Sequence, residues 1–381
     1  MLLAGNGQDT CPSGPDTDPM REFVVVGAGP AGSRFARRAA ERGRDVLVFE
    51  RGEVGKPLAC SGHVSQDVWE YVPGAARERL FQNDVYGARF HAGGPGTEGE
   101  LFYKREQVST VIDRVELDRT LAREAAAAGA EVREHHTVTG VEEHADSVTV
   151  EASGPDGVES HEARMVVGAD GPRSRVRREC GLPEPEEFLH GVLGFDDSPD
   201  DADYVDVHLT VPEFFAWRIP RGDAGVEYGL ALAPDTDGEV PDRFEAFCDA
   251  YGAEVDRRCS GLIPVGPPDS VTGRRSLLVG DAAGQTKPFT GGGILYGMQA
   301  ADHAAREVDP RDPGTLAAYE ESWREDLARE IRLGRWIRRA YSLPGSVQRA
   351  GLRALSGEIG VHMDRPSTLL STDHLRALLS R

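Results

Sequence analysis

The hexapeptide Gly27-Ala28-Gly29-Pro30-Ala31-Gly32 constrains this chain more than any other feature, because of what flanks it. Phe23 to Val26 form a continuous apolar run, as expected of a parallel strand buried on both faces. From Pro30 to Arg42 the alanines, Phe35 and the arginines suit a helix that Gly43 ends, and Asp45 to Phe49 make a second short strand. Glu50 closes that strand, 18 residues after Gly32. Each part of this β-α-β unit has a task in holding a dinucleotide. Gly27 permits a tight turn, Gly29 lets a pyrophosphate approach the backbone, and Gly32 allows close helix packing. The helix N-terminus favours the anion, and Glu50 can accept hydrogen bonds from ribose hydroxyls. A glycine-rich turn without a ligand is the plain alternative, and strand, helix and acid in register argue against it.

A chain of 381 residues suits two domains, or one large discontinuous domain carrying an insertion. No apolar run approaches the roughly 18 residues a membrane span needs, and Met1 to Pro19 lacks a secretory pattern, so a cytoplasmic protein is expected. Cys11, Cys60, Cys180, Cys248 and Cys259 are scattered without zinc-ligand spacing, which implies free thiols and no metal site. The net charge of −21 argues against nucleic-acid binding. Of the 43 basic residues only Lys56, Lys104 and Lys287 are lysine. That balance suits a high-salt cytoplasm and a haloarchaeal source; arginine codons of a GC-rich genome are the plainer explanation.

Residues 1–20 have no apolar periodicity and read as a disordered leader. Strands are expected near Tyr86 to His91, Leu101 to Tyr103, Val138 to Val141, Ser147 to Ala152, Met165 to Val167 and Leu277 to Val279, with a helix over Val115 to Ala128. Alternation in Tyr204 to Val211 and Val226 to Ala233 predicts an antiparallel sheet with one solvated face. From Leu316 onward the pattern is mostly helical.

Two later motifs follow apolar strands. One is Gly168-Ala169-Asp170-Gly171-Pro172-Arg173-Ser174; the other is Gly280-Asp281-Ala282-Ala283-Gly284, with Gly291-Gly292-Gly293-Ile294 soon after. Here the chain resembles FAD proteins of the para-hydroxybenzoate hydroxylase type. The resemblance implies that Asp281 binds the ribityl chain and that the turn through Gly292, Gly293 and Ile294 brings amides and a helix N-terminus to the flavin, where they favour its anionic reduced form. Gly55-Lys56-Pro57-Leu58-Ala59-Cys60-Ser61-Gly62 is similar to the GxPxxCxG signature of geranylgeranyl reductases, which lies along the flavin. Phe215-Ala216-Trp217-Arg218-Ile219-Pro220, with Gly229-Leu230-Ala231 beyond, resembles that family's YxWxFP…GxG substrate motif. Phe215 replaces Tyr, Ile219 replaces Phe and Ala231 replaces the last Gly, which removes a hydroxyl and leaves an apolar cavity.

The resemblance covers about residues 22 to 340. It implies an α/β protein: a Rossmann-type FAD-binding domain (21–75 with 111–189 and 269–310), an inserted antiparallel β-sheet substrate domain (76–110 with 190–268), and a C-terminal helical region (311–381). Cofactor contacts are implied at Gly27, Gly29, Ala31, Gly32, Glu50, Cys60, Ser61, Gly62, Arg114, Val138, Asp281, Gly292, Gly293 and Ile294. Substrate contacts are implied at Phe215, Trp217, Ile219, Pro220 and Gly229. The implied activity is saturation of geranylgeranyl chains in archaeal lipid precursors, by hydride from reduced FAD and a proton from a donor that no residue here identifies. Ferredoxin and NAD(P)H both stand as electron donor. For Cys60, packing against the cofactor is expected rather than nucleophilic chemistry.

The rivals are a flavin hydroxylase or halogenase of the same fold and a non-catalytic isoprenoid carrier. A halogenase needs a catalytic lysine; only Lys56 lies in a cofactor motif, at a variable family position. Between Arg329 and Arg353, seven arginines face a single acid, Glu330, around Trp336 and Ile337. This segment is the expected contact with an anionic lipid surface, internal ion pairs being the alternative.

Overall fold

The computed structural model describes residues 20–56, 60–211, 213–233, 240–355 and 364–367. The leader and Pro57 to Ala59 of the cysteine motif lie outside them. The first sheet runs β8 (Glu131–Arg133), β2 (Val46–Phe49), β1 (Arg21–Val26), β11 (Gly157–Gly168), β10 (Val148–Gly154) and β9 (Thr137–Glu143), with β17 (Ser276–Leu278) also paired to β11. Strand β11 is long enough to serve three partners: it is antiparallel to β10 over its first half, then parallel to β1 and β17. All four residues of β2 and the last four of β1 are buried, as a parallel sheet covered on both faces requires.

Helix α1 (Pro30–Ala40) opens on a proline, whose missing N–H costs nothing in a first turn. It packs beside α3 (Arg114–Ala127) and α6 (Ile294–Glu307). The approach of α6 is close because both surfaces are small. A Cβ on Gly297 would stand 2.9 Å from the Gly280 Cα and 3.3 Å from the Ala31 Cβ. Helix α7 (Leu316–Arg339) buries Tyr319, Trp323, Leu327 and Ile331 in the main core, and α8 (Gly345–Leu355) follows.

A small sheet joins β3 (His63–Ser65), β7 (Ser109–Ile112) and β4 (Phe81–Val85), with the short α2 (Arg77–Leu80) leading into β4. The other seven-stranded sheet has the order β16 (Arg257–Val265), β12 (Glu187–Asp196), β15 (Val226–Leu232), β14 (Ala216–Pro220), β13 (Tyr204–His208), β5 (Gly87–His91) and β6 (Glu100–Tyr103). It is antiparallel except where β13 meets β5, which pair in parallel. That junction joins two chain segments more than a hundred residues apart, so no hairpin dictates its direction. The expected solvated face is also absent at β15, whose seven residues are all buried. One side packs Tyr228, Leu230 and Leu232 against Phe244, Phe247 and Cys248 of α5 (Val240–Tyr251), a helix the strand-like alternation did not announce. The opposite side turns Glu227, Gly229 and Ala231 toward Trp217 and Phe215.

Candidate active site

The dinucleotide turn is held by backbone geometry that only glycine supplies. Gly27 has φ +99°, and a Cβ there would stand 2.4 Å from the Ala169 oxygen; one on Gly32 would stand 2.0 Å from the Gly27 oxygen. Gly29 is the opposite case. No atom lies within 4 Å of its would-be Cβ, so the backbone presents an open face at the start of α1, where a pyrophosphate has room and the helix end favours it. Glu50 reaches back from the end of β2 and accepts the Ala28 amide at 2.9 Å and the Gly52 amide at 3.3 Å.

A cleft of about 330 Å³ opens beside this turn. Of the cofactor residues expected from sequence, Gly29, Ala31, Cys60, Ser61, Arg114, Asp281, Gly292, Gly293 and Ile294 line it. Gly27, Gly32 and Gly62 stand behind that wall as spacers; Gly62, at φ +78°, lets its strand run against the Ile112 carbonyl. Val138 sits elsewhere, buried in β9 within the main core.

The polar groups of the cleft are strongly biased by burial. Arg114 donates through Nη2 to both oxygens of Asp118, at 2.8 and 3.0 Å. Burial opposes its charge, and Asp118 with the Cys60 thiol more than offsets that, raising the guanidinium above the ordinary arginine range. Burial pushes the Asp281 carboxyl up to about 6, with Arg114 pulling the other way. The residues present fit FAD. An open glycine turn at a helix end can take a pyrophosphate, Glu50 a ribose, and Asp281 with the Gly292–Ile294 turn the polyol and ring.

The opposite wall comes from the second large sheet. Of the expected substrate residues, Trp217 alone lines the cleft. Phe215 packs in a cluster with Phe214 and Tyr341, Ile219 sits in another with Val85, Val111 and Val205, and Pro220 is buried at the end of β14. Gly229 lies under the Trp217 ring, as its cross-strand partner. The sequence reading missed Gly191 and Leu193 of β12 and Ser260 to Ile263 of β16, which complete the wall. Their only advance signal is that both runs fall largely within 190–268, the segment expected to form the antiparallel sheet.

Two further groups went unrecognised. Glu227 is wholly buried and accepts both the Trp217 indole N–H at 2.8 Å and Arg221 Nη1 at 3.1 Å. Lys287, passed over in favour of Lys56, is buried beside Gly292 with its ammonium 2.5 Å from Asp364 Oδ1, whereas Lys56 is exposed and pairs with Glu53 at 3.2 Å. Among the described residues no cluster of His, Cys, Asp or Glu could hold a metal ion.

Comparison with known proteins agrees with this geometry. Residues 21–211 match the FAD binding domain family. The chain is 33% identical over 332 residues to a digeranylgeranylglycerophospholipid reductase of Methanothrix thermoacetophila, covering 81% of this chain and 84% of the relative. It is 32% identical over 342 residues to digeranylgeranylglycerophospholipid reductase 2 of Methanopyrus kandleri, covering 82% and 84%. In fold it superimposes on a geranylgeranyl bacteriochlorophyll reductase-like protein of Thermoplasma acidophilum with a TM-score of 0.80 at 23% identity, over 95% and 96% of the two chains. A p-nitrophenol 4-monooxygenase of Pseudomonas putida shares the fold at a TM-score of 0.71 and 19% identity, over 95% and 97%. The chain is an FAD-dependent oxidoreductase and belongs to the digeranylgeranylglycerophospholipid reductase family.

Proposed function

We propose that this enzyme saturates the geranylgeranyl chains of archaeal phospholipid precursors. The observation that carries the reading is the pairing of an FAD site with a cleft wall of Trp217, Leu193, Leu262 and Ile263, apolar groups suited to an isoprenoid chain. Reduced FAD supplies the hydride for such a reaction. The second large sheet, whose strands come from the 87–103 and 187–265 segments, serves as the substrate domain. Its wall holds the alkene in place and keeps water from the reacting carbon, which matters because an isolated alkene accepts hydride poorly and orientation must carry much of the barrier. A halogenase reading is disfavoured by the lysines: Lys56 is exposed, and Lys287 is neutralised by Asp364 instead of lining the cleft. Ferredoxin or NAD(P)H reduces the flavin. The decisive experiment is mass spectrometry of lipids after co-expression in a host that makes unsaturated archaeol precursors. Mass gains in steps of two hydrogens support the reading, and an unchanged lipid profile from a flavin-loaded enzyme refutes it.

No helix among the described residues is long and apolar enough to cross a membrane. We take the enzyme to meet its lipid peripherally, through the end of α7 and α8. Trp336 is 67% exposed, and Leu343, Val347 and Leu355, further along the same segment, are exposed as well. Not every arginine of the segment is available for headgroups: Arg335 pairs with Glu186, Arg338 with Glu187 and Arg353 with Glu100. Arg339 stacks over the Trp336 ring at 4.3 Å and is exposed, as is Arg349. The acid-rich, lysine-poor composition supports salt adaptation, which loss of activity on dilution into low-salt buffer tests.

A further inference from the structure

Trp217 and Ser61 both line the cleft, and a buried polar chain joins them. Trp217 stands opposite Gly229 in the β14–β15 ladder. Its indole lies flat on that position, where a Cβ would stand 2.2 Å from the ring atoms Cε2 and Cζ2, so the ring occupies the space of any side chain there. Two residues earlier on the same face of β15, Glu227 Oε1 accepts the indole N–H at 2.8 Å. The other carboxylate oxygen accepts Arg221 Nη1 at 3.1 Å, and the same nitrogen donates to the Ser61 carbonyl at 3.0 Å. Arg221 is further braced over the Phe195 ring at 4.9 Å. Neither Glu227 nor Arg221 lines the cleft, while Trp217 and Ser61 both do.

A buried carboxylate is costly unless paired and hydrogen-bonded, so its presence under an apolar wall calls for a role. Both charged side chains here are almost completely removed from solvent. An indole set against a glycine has no side chain directly opposite it to fix its rotation, and the N–H to carboxylate bond supplies that restraint.

We propose that Glu227 is a positioning residue: it sets the orientation of Trp217 and, through Arg221, couples that ring to the Cys60–Gly62 segment, so that the substrate wall and this segment of the opposite wall hold one spacing. Glu227 touches neither reacting partner and acts through the two residues it binds. The kinetic consequence rests on the proposed lipid reduction, whereas the structural link does not.

The test uses the FAD-loaded enzyme and its four tryptophan indole N–H resonances in ¹⁵N NMR. Trp217→Phe assigns the Trp217 line by its loss. Glu227→Leu should shift that line and speed its exchange with solvent while the other three stay in place, and should alter the visible circular dichroism of the flavin through the freed Arg221. A stationary Trp217 line in Glu227→Leu overturns the indole link, and unchanged flavin dichroism overturns the Arg221–Ser61 limb. With dithionite-reduced enzyme and prenyl lipid, Glu227→Leu should slow single-turnover flavin oxidation at least tenfold at saturating lipid, and add little further loss to Trp217→Phe. Multiplying losses overturn the coupling. Glu227→Gln keeps an acceptor for the indole without the charge opposite Arg221, so it should retain more of the rate than Glu227→Leu; if the Leu variant fails to fold, the Gln variant must still move the Trp217 line alone. Absence of lipid reduction by the wild type counts against the proposed function, and the NMR and dichroism results then judge the positioning role by themselves.

Discussion

Glu50 Oε2 accepts the Ala28 amide at 2.9 Å, so the acid that ends β2 is tied to the middle of the glycine turn that follows β1. The pair holds the turn in shape before any ligand arrives. Removing the carboxylate loses that bond as well as any bond to a ribose, and hydrogen bonds to charged groups are worth about 1.5–3 kcal/mol. Glu50→Ala should therefore weaken FAD binding by about ten- to a hundredfold, measured by equilibrium titration of the apoprotein with FAD.

The Lys287–Asp364 pair is expected to matter more for stability than for chemistry. Both side chains are almost wholly buried, and removing one partner of such a pair typically costs about 3–5 kcal/mol because the other charge is left behind. Asp364→Asn should lower the denaturation midpoint markedly. A Lys287→Met, Asp364→Asn double variant should recover much of the loss, which urea unfolding of the two variants will show.

Two buried histidines should contribute stability that rises with pH between about 4 and 6.5, against the opposite slope of Asp281, whose carboxyl burial pushes up to about 6. Burial, helped by the nearby Lys287 charge, pushes His63 down to about 4, and burial together with His91 does the same to His208. Over that window the unfolded chain binds more protons at these positions than the folded one, so acidification favours unfolding. At lower pH Asp206 adds to the loss. Burial would raise its pKa, but hydrogen bonds from His91 and Arg89 hold it below the ordinary value, and its stabilising charge disappears as the carboxylate protonates. His208→Phe, less stable at neutral pH through loss of its bond to Tyr251, should show a shallower fall in Tm from pH 6.5 to 4 than the wild type.

Vesicle binding separates the exposed groups of the C-terminal helices from the paired ones. Trp336→Ala with Val347→Ser should reduce co-sedimentation with anionic vesicles severalfold at both low and high salt, since the apolar contact survives screening. Arg338→Gln should have little direct effect on headgroup contact, because that guanidinium already holds Glu187 in a two-point pair. Equal binding by wild type and the Trp336→Ala, Val347→Ser variant would remove this surface from membrane contact.

The β-α-β unit, the two later glycine turns and the acid at Glu50 were legible in the sequence because local chemistry dictates them. Gly27 and Gly280 adopt positive φ, Gly32 and Gly297 permit contacts that any Cβ would block, and buried parallel strands leave uninterrupted apolar runs. The resemblance carried by these motifs is why nine of the expected cofactor residues, together with Trp217, fall around one cleft. What only the tertiary structure decided is the partnership of distant charged groups and strands. Nothing local marks Glu227 as the acceptor for Trp217, Asp364 as the partner of Lys287, or Glu187 as the partner of Arg338, since ion pairing depends on which surfaces meet and not on spacing along the chain. The parallel join of β5 to β13 and the contribution of β12 and β16 to the cleft escaped for the same reason. Strand alternation reports that a face is covered or wet, and the identity of the covering element, here α5 on one side and the Trp217 wall on the other, is settled only when the sheet closes.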